Sequence, residues 1–376
     1  MSRLYLDHQA STPMDGRVLD AMLSVGYGNP SSEHSFGWDA AAKIDRARGQ
    51  VASMIGADTD EIFFTSGATE ANNLAILGLR KQRSIGKDHI LRSTIEHKSV
   101  LEACEALSHE YGFEVGELAV DANGRVSPDA VLRAVQDRTA LVSIALVNNE
   151  IGVIQEVREI AKHKGGALLH SDAAQAPEAM DMSRTADVCD LISLSAHKMG
   201  GPMGIGALYS SRAIQPMISP IVFGGGQQGG MRPGTLPVSL CVGMGVACES
   251  AQSNGVERAR IAGLRDGFLA ALQNGGLDFE LNGIKDARFR HPGNANIRIF
   301  GVDAEQLLAM LQPKIAASTG SACTSGSLEA SHVLTAIGLN YDEAASSIRF
   351  SLGRTTTEND ILMASNLILD AASRTI

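Results

Sequence analysis

The apolar positions of this chain follow two patterns, short runs typical of buried strands and longer stretches with helical spacing. Nearly continuous apolar runs such as 141–147 are typical of strands that are buried on both faces of a mostly parallel sheet. Strands of this kind predict an α/β fold. The predicted strands lie at 3–7, 61–65, 89–92, 115–118, 140–147, 167–169, 191–195, 206–209, 279–281, 295–299 and 347–354.

Helical spacing fills most of the intervals between these strands. The pattern predicts helices around 40–54, from 236 to about 274, at 303–311, at 328–337 with Gly338 as a C-cap, and after Thr357, where Thr357–Asp360 resembles a capping box. Seven of the predicted strands fall between residues 61 and 209. We therefore expect a large domain at 16–255, and a smaller α+β domain formed by 1–15 and 256–376.

Composition excludes several classes of protein. The net charge is −10, and no block of like charge indicates a nucleic-acid or membrane partner. We find no apolar run long enough to span a bilayer and no signal-peptide pattern, so we expect a cytoplasmic protein. The five cysteines form no C-x-x-C pair, which favours reduced thiols over disulfides or a metal site. Cys104, Cys189, Cys241 and Cys248 are predicted to be core residues.

The stretch 191–209 holds the first candidate for chemistry. Lys198 follows a predicted buried strand, and glycines at 200, 201, 204 and 206 exclude a helix around it. A surface turn with an incidental lysine would be the simpler interpretation. However, Asp172 follows the strand before it. A lysine that forms a Schiff base, with an acid one strand earlier to pair with a pyridinium nitrogen, is the arrangement that pyridoxal phosphate requires.

Polar groups follow five of the predicted strands, where ligands collect in parallel α/β sheets. These groups lie at 66–69, 95–97, 148–150, 172–175 and 195–198. The strand that ends at Thr65 runs through Ser-Gly-Ala-Thr into a helix, which is either an anion-binding turn or an ordinary capped helix start. The glycine-rich stretch 223–235 is either a linker or, with Arg232 and Thr235, a phosphate-contacting loop.

Cys323 is a second candidate centre. It lies among Ser, Thr and Gly in 318–327, where no apolar neighbour explains it, and such a loop is expected to be mobile. A reactive thiol is favoured over a cysteine that stands in for serine in a turn. On the predicted strand 347–354, Arg349 is either an ion-pair partner or a clamp for a carboxylate.

Together these motifs closely resemble the cysteine desulfurases of the NifS/IscS type, which are fold-type I pyridoxal-phosphate enzymes. The matching motifs occur in the family's order along nearly the whole chain, at 28–34, 66–73, 96–97, 147–152, 172–175, 195–198, 232–235, 321–325 and 348–354. The resemblance implies a mostly parallel seven-stranded sheet in the large domain. It also implies a homodimer that converts L-cysteine to L-alanine and passes sulfur to an acceptor or iron–sulfur scaffold protein.

The resemblance also implies a role for each site residue. Lys198 would carry the cofactor and shuttle a proton, and Cys323 would attack the substrate sulfur as a thiolate. Arg349 and Asn149 would hold the substrate carboxylate. The remaining positions would bind the cofactor: Asp172 at the pyridine nitrogen, His97 stacked on the ring, Gln175 and Asn149 at the ring hydroxyl, the Ala68 backbone, Thr69, Ser195 and His197 at the phosphate, and Thr235 at the phosphate of the partner subunit.

The chain departs from the family pattern at two places. The glycine-rich loop reads Gly-Gly-Gln-Gln-Gly-Gly at 225–230, where relatives usually carry two charged residues, a Glu and an Arg. The chain also stops soon after its closing helix, where many relatives continue with a scaffold-binding tail. An aminotransferase would share Lys198 and Asp172 but would have no use for Cys323. A selenocysteine lyase would fit more closely, since selenium can leave without a thiol nucleophile, and a non-enzymatic sulfur-relay protein could retain the fold. The sulfur acceptor is not predicted by the sequence.

Overall fold

The computed structural model describes residues 3–319 and 330–374. The strands of these residues are short, two to six residues each. They are β1 Leu4–Tyr5, β2 Ile62–Thr65, β3 His89–Ser93, β4 Glu114–Leu118, β5 Thr139–Ser143, β6 Leu168–Asp172, β7 Leu191–Ser195, β8 Gly206–Ser210, β9 Phe279–Leu281, β10 Asn294–Ile299, β11 Ile315–Ala316 and β12 Ser347–Ser351.

The α-helices of the described residues range from a single turn to more than five turns. They are α1 Gly16–Leu23, α2 Ser35–Ile55, α3 Ala68–Leu77, α4 Lys98–Tyr111, α5 Pro128–Ala134, α6 Val157–Ala161, α7 Ala176–Ala179, α8 Val238–Gln252, α9 Gly255–Asn274, α10 Ala304–Leu311, α11 His332–Ala336, α12 Tyr341–Ala345 and α13 Glu358–Ala372. None of them is long and apolar enough to cross a membrane.

A seven-stranded sheet forms the centre of the fold, in the order β2-β8-β7-β6-β5-β3-β4. The five strands from β7 to β4 are parallel, whereas β8 runs antiparallel to both of its neighbours. Every residue of β5 and of β7 is buried, as expected for strands that are covered on both faces. The α/β fold with a mostly parallel seven-stranded sheet is therefore confirmed.

A second, three-stranded sheet has the order β12-β10-β9 and is antiparallel. Its core packs against α9 and α13, with Phe268 edge-on to Phe350 at a ring distance of 5.3 Å. Leu4 and Leu6 from the start of the chain belong to the same apolar cluster. The chain start also forms a parallel pair between β1 and β11.

Several predicted boundaries were wrong by a few residues. The strand predicted at 140–147 ends at Ser143, because the chain then turns and Val147 pairs with Ile154. The long helix predicted from Leu236 is two helices, because the backbone of Ser253 and Asn254 between them is not helical. The helix predicted at 328–337 begins at His332 in the described chain. The Thr357 capping box before α13 is confirmed.

Candidate active site

A cavity of about 570 Å³ lies at the carboxyl ends of the central strands. Parallel strands bring their carboxyl ends to one edge of a sheet, so side chains that are distant in sequence meet there. Ten of the predicted site residues line this cavity. They are Ala68, Thr69, His97, Asn149, Asp172, Gln175, Ser195, His197, Lys198 and Arg349.

Lys198 lies in a 3-10 turn directly after β7. Its Nζ donates to the carbonyls of Gln9 and Ala10, both at 2.7 Å. Gly201 and Gly206 let the following chain pass close to β7: a Cβ on Gly201 would lie 2.8 Å from the Ala196 carbonyl oxygen, and one on Gly206 would lie 2.4 Å from that of Leu194. The glycines around Lys198 thus allow the chain to approach its own backbone.

Asp172 is the last residue of β6 and is 7% exposed. Its Oδ1 accepts from the Ala174 N–H at 3.0 Å, and its Oδ2 accepts from Asn72 Nδ2 at 2.8 Å. Asn72 lies on α3 and is fully buried. The carboxylate is therefore oriented from both sides.

Sequence reasoning missed the role of Asn72, and also that of Ser99. Asn72 Nδ2 donates to Ser99 Oγ at 2.8 Å, and that hydroxyl is 2.8 Å from His97 Nδ1. The chain Asp172–Asn72–Ser99–His97 thus connects the carboxylate to the imidazole. The position of Asn72 could have been predicted from the sequence, because it lies about one helical turn after the Ser-Gly-Ala-Thr motif that begins α3.

The N-terminus of α3 forms one wall of the cavity. Its N-cap is Gly67, which has a φ of +155° and no side chain to satisfy the first N–H groups of the helix. Free N–H groups at the positive end of a helix dipole bind anions. Ser195 and His197 line the cavity with them, and burial, helped by the charge of Lys198, lowers the pKa of His197 to about 4.

Arg232 does not line this cavity in its own chain. Its Nε and Nη2 instead donate to the Glu70 carboxylate at 2.7 and 3.2 Å. Glu70 also accepts from the Ser66 N–H at 2.6 Å. The ion pair therefore ties the end of the glycine-rich stretch to α3. Thr235 is exposed and does not line the cavity either.

Gln228 fastens the glycine-rich stretch to the edge of the central sheet. Its Oε1 accepts from the Phe64 N–H at 2.7 Å, and its Nε2 donates to the Phe64 carbonyl at 2.8 Å. The carboxamide thus pairs with edge strand β2 as a neighbouring strand would. The same Oε1 accepts from Arg48 at 3.2 Å. Gln228 holds this place with a φ of +51°, which is rare for a residue other than glycine.

Arg349 lies on β12 and is 2% exposed. Its Nη2 donates to Asp7 Oδ1, and its Nη1 donates to the Asn149 carbonyl, both at 2.8 Å. Its Nε has no hydrogen-bond partner among the described residues. The structure therefore holds the guanidinium in place at the wall of the cavity. Sequence reasoning did not identify Asp7.

Cys323 lies outside the described residues. The other four cysteines are buried, which confirms that they are core residues. Burial raises the pKa of Cys104, Cys189 and Cys241 to about 12, and that of Cys248 further still. These four thiols are therefore not nucleophiles near neutral pH.

Comparisons with known proteins agree with this geometry. The family model "Aminotransferase class-V" matches residues 4–363. The chain is 45% identical to "Cysteine desulfurase IscS" of Rickettsia rickettsii (strain Iowa) over 372 residues, 97% of this chain and 90% of that protein.

Two solved structures illustrate the structural likeness. A "NifS-like protein" superposes with a TM-score of 0.90 at 33% identity and covers 99% of this chain and 100% of its own. A structure described as "SspA in complex with cysteine" has a TM-score of 0.79 at 36% identity, with 94% of this chain and 100% of that chain covered.

Proposed function

The chain belongs to the class-V aminotransferase family and, within it, to the cysteine desulfurases of the NifS/IscS type, and on that premise we propose how its residues share the reaction. The reaction converts L-cysteine to L-alanine and moves the sulfur to an enzyme cysteine. The observation that carries the proposal is the placement of the Lys198 amine, the Asp172 carboxylate and the Arg349 guanidinium on one cavity. In this proposal Cys323 receives the sulfur.

The cavity residues fit pyridoxal 5'-phosphate. A carboxylate that is oriented by Asn72 suits a pyridinium nitrogen, and the N-terminus of α3 suits a phosphate. When bound, the cofactor supplies an aldehyde for amines and a protonated ring that withdraws electrons from the substrate. The residues that would hold it are Asp172 at the nitrogen, His97 on the ring face, Asn149 and Gln175 at the ring hydroxyl, and the Ala68 N–H, Thr69, Ser195 and His197 at the phosphate.

Asp172 would keep a proton on the pyridine nitrogen through a charge-assisted hydrogen bond, worth about 1.5–3 kcal/mol. The two hydrogen bonds that its carboxylate already accepts fix the direction of this bond. His97 is fixed in turn, because its Nδ1 accepts from the Ser99 N–H at 3.1 Å and its ring orientation follows. These residues therefore need little reorganisation when the cofactor binds.

Lys198 would carry the cofactor and then move a proton between the substrate Cα and the carbon that becomes the methyl group of alanine. Such a base must reach the proton it moves, directly or through one water molecule. The Lys198 amine lies on the cavity, bonded to two carbonyls of the chain start. Those carbonyls hold the amine within the cavity rather than in solvent.

Arg349 and Asn149 would bind the substrate carboxylate and thereby direct the substrate side chain. The thiolate of Cys323 would attack the substrate sulfur. A sulfur–sulfur bond forms, the carbon–sulfur bond breaks, and its electron pair stays with the substrate carbon, which takes up a proton. A free thiol has a pKa of about 8.5, so this step needs a positive charge or a base near Cys323.

We also propose that the working unit is a homodimer. Thr235 is exposed in its own chain, and so are several large apolar side chains, which supports a second copy that covers such side chains and receives Thr235 at its phosphate site. These side chains are Tyr27, Phe36, Trp38 and Phe223. A cytoplasmic iron–sulfur scaffold or another sulfur acceptor would then take sulfur from Cys323.

The division into a large domain at 16–255 and a small domain at 1–15 and 256–376 is likewise a proposal. It is supported by the two sheets, since all seven strands of the large sheet lie between residues 62 and 210. It is also supported by Leu4 and Leu6, which pack with the small sheet although they start the chain.

The direct test measures alanine and sulfide from L-cysteine, with and without reductant. Alanine in both cases, with sulfide released mainly in the presence of reductant, supports the proposal, because a persulfide needs a thiol to discharge it. Alanine and sulfide that are independent of reductant would contradict a persulfide. Activity on L-selenocysteine alone would favour a lyase, and a purified protein without the cofactor's yellow colour would favour a non-enzymatic sulfur carrier.

A further inference from the structure

The main-chain carbonyl of Gln9 holds two of the side chains that line the cavity. It accepts from Lys198 Nζ at 2.7 Å and from Gln175 Nε2 at 2.8 Å. In the proposed function these are the amine that carries the cofactor and the amide at the ring hydroxyl. Because a carbonyl oxygen has two lone pairs, this single acceptor can orient both side chains at once.

Gln9 is itself held by the three-stranded sheet, although it belongs to the chain start. It is 1% exposed. Its N–H donates to Ser351 Oγ at 2.9 Å, and its Oε1 accepts from Asn294 Nδ2 at 2.6 Å. Ser351 on β12 and Asn294 on β10 lie opposite each other in the antiparallel ladder. The place of the Gln9 carbonyl therefore depends on the small sheet, whereas Lys198 follows a strand of the central sheet.

The Asn294 carboxamide is fully buried and cannot turn without losing hydrogen bonds. Besides its bond to Gln9, its Nδ2 donates to the Glu150 carbonyl at 2.9 Å, and its Oδ1 accepts from Arg290 Nη2 at 2.7 Å. The neighbouring chain leaves no spare room, since a Cβ on Gly152 would lie 2.6 Å from that of Asn294. Asn294 thus presents its donor to Gln9 in one fixed direction.

Of the two bonds that Asn294 Nδ2 donates, only the one to Gln9 has no substitute. The Glu150 carbonyl also accepts from Asn296 Nδ2 at 3.1 Å, so it keeps a donor without Asn294. Among the residues that the structure describes, the Gln9 Oε1 has no second partner and the Gln9 Nε2 has none. Without Asn294, the Gln9 side chain would therefore lose its hydrogen-bonded anchor.

We propose that Asn294 is a positioning residue, which sets the places of the Lys198 amine and the Gln175 amide by holding Gln9. Asn294 does not line the cavity, so it acts through Gln9, which does. A displacement of about 1 Å at a reacting group can slow a reaction about 100-fold, so the place of the amine matters even when the fold is intact. The inference rests on the proposed function, in which Lys198 carries the cofactor.

The experiment uses the full chain with Asn294→Leu and Gln9→Met, which remove the shared hydrogen bond and keep side chains of similar size. It measures the rate at which added pyridoxal 5'-phosphate becomes attached to Lys198, by borohydride trapping and peptide mapping, and the kcat and KM of alanine formation. We expect attachment and kcat to fall about 10- to 100-fold. The KM for L-cysteine should change by about threefold or less, because Arg349, which would bind its carboxylate, is held by Asp7 and not by Gln9.

A double-mutant cycle tests whether Asn294 and Gln9 act as one unit. Since both substitutions break the same hydrogen bond, the double variant should be no slower than the slower single variant. Gln9→Met also carries the test alone if Asn294→Leu does not fold, because it leaves the bonds of Asn294 to Glu150 and Arg290 intact.

Asn282→Leu is the matched control. Asn282 is buried directly after β9 and donates to Asn296 Oδ1 at 2.8 Å and to Ser347 Oγ at 3.0 Å. It is thus a second buried asparagine with two hydrogen bonds in the same sheet, but it neither donates to Gln9 nor lines the cavity. It should lower the urea midpoint of unfolding about as much as Asn294→Leu does, while cofactor attachment stays unchanged.

Three results would overturn the inference: an unchanged attachment rate in both single variants, multiplied effects in the double variant, or equal slowing by Asn282→Leu. A wild-type protein in which borohydride traps no cofactor on Lys198 would overturn the proposed function instead. Amide hydrogen exchange at Gln9, measured in the cofactor-free protein, then still decides the inference. Asn294→Leu should speed this exchange about tenfold, because Gln9 loses its anchor, and Asn282→Leu should not. Equal exchange in the wild type and in Asn294→Leu would count against a Gln9 that is held by Asn294.

Discussion

The centre of the site and its outer parts are held in different ways. At the centre, Lys198 and Asp172 lie directly after or at the ends of neighbouring buried strands, and the Asp172 carboxylate accepts from the buried Asn72 amide. The outer parts are the surroundings of Arg349 and the glycine-rich stretch 223–235. There, single side chains join segments more than 150 residues apart: Asp7 contacts Arg349, and Gln228 contacts Phe64. Substitutions at the centre should therefore abolish the reaction, whereas substitutions in the outer parts should lower its rate or the cofactor affinity only in part.

Lys198→Ala should have the largest effect. Without the amine, the cofactor has no covalent anchor and the substrate Cα has no base, so alanine formation should fall to background. The visible absorption of the bound cofactor should change as well. Because the hydrogen bonds from Lys198 to the Gln9 and Ala10 carbonyls reach a loop rather than the core of the sheet, we expect the variant to stay folded, as judged by circular dichroism.

Borohydride reduction followed by peptide mapping provides the check on this assignment. In the wild type the reduced cofactor should be found on the peptide that contains Lys198. A Lys198→Ala variant that still traps the cofactor on another lysine would show that the centre has been assigned to the wrong residue.

Cys323→Ser should abolish sulfur transfer but not substrate binding. A serine hydroxyl is a far weaker nucleophile toward sulfur, so we expect at least a roughly 100-fold slower release of sulfide from L-cysteine. The spectral change on adding L-cysteine should remain. Cys104→Ser is the matched control, because that thiol is buried and its raised pKa keeps it unreactive. Sulfide release by Cys323→Ser near the wild-type rate would exclude the persulfide route.

The sequence predicted the centre better than the outer parts, for a physical reason. Buried parallel strands have a recognisable apolar pattern, and their ends must meet at one edge, so the neighbourhood of Lys198 and Asp172 followed from order along the chain. The contacts of Asp7 with Arg349 and of Gln228 with Phe64 span 342 and 164 residues. No local pattern encodes such pairs, because they depend on how the two sheets and the loops are arranged in space.

Asn72→Ala should weaken the centre without destroying it. It removes one of the hydrogen bonds to the Asp172 carboxylate, and bonds to charged groups are worth about 1.5–3 kcal/mol, so the dissociation constant of the cofactor should rise about 10- to 100-fold. The neighbouring Asn73→Ala is the matched control, since the Asn73 amide donates to the carbonyl of Thr69 on its own helix. Equal losses in the two variants would mean that helix α3, rather than the orientation of Asp172, limits binding.

Gln228→Leu should have the smallest effect and should act on the glycine-rich stretch. Leucine is of similar size but removes both hydrogen bonds to edge strand β2, so we expect the free energy of unfolding to fall by about 1–3 kcal/mol in urea titrations, with the cofactor affinity falling about threefold. Gln215→Leu is the matched control, because this glutamine also donates to main-chain carbonyls near that sheet edge, at 3.1 Å, but does not contact the loop.

Gln228→Gly separates the two contributions of this position. It loses the same hydrogen bonds yet relieves the φ of +51°, which costs other residues about 1 kcal/mol, so it should be less destabilised than Gln228→Leu. If Gln215→Leu lowers cofactor affinity as much as Gln228→Leu does, the carboxamide of Gln228 has no special part in holding the loop against the site.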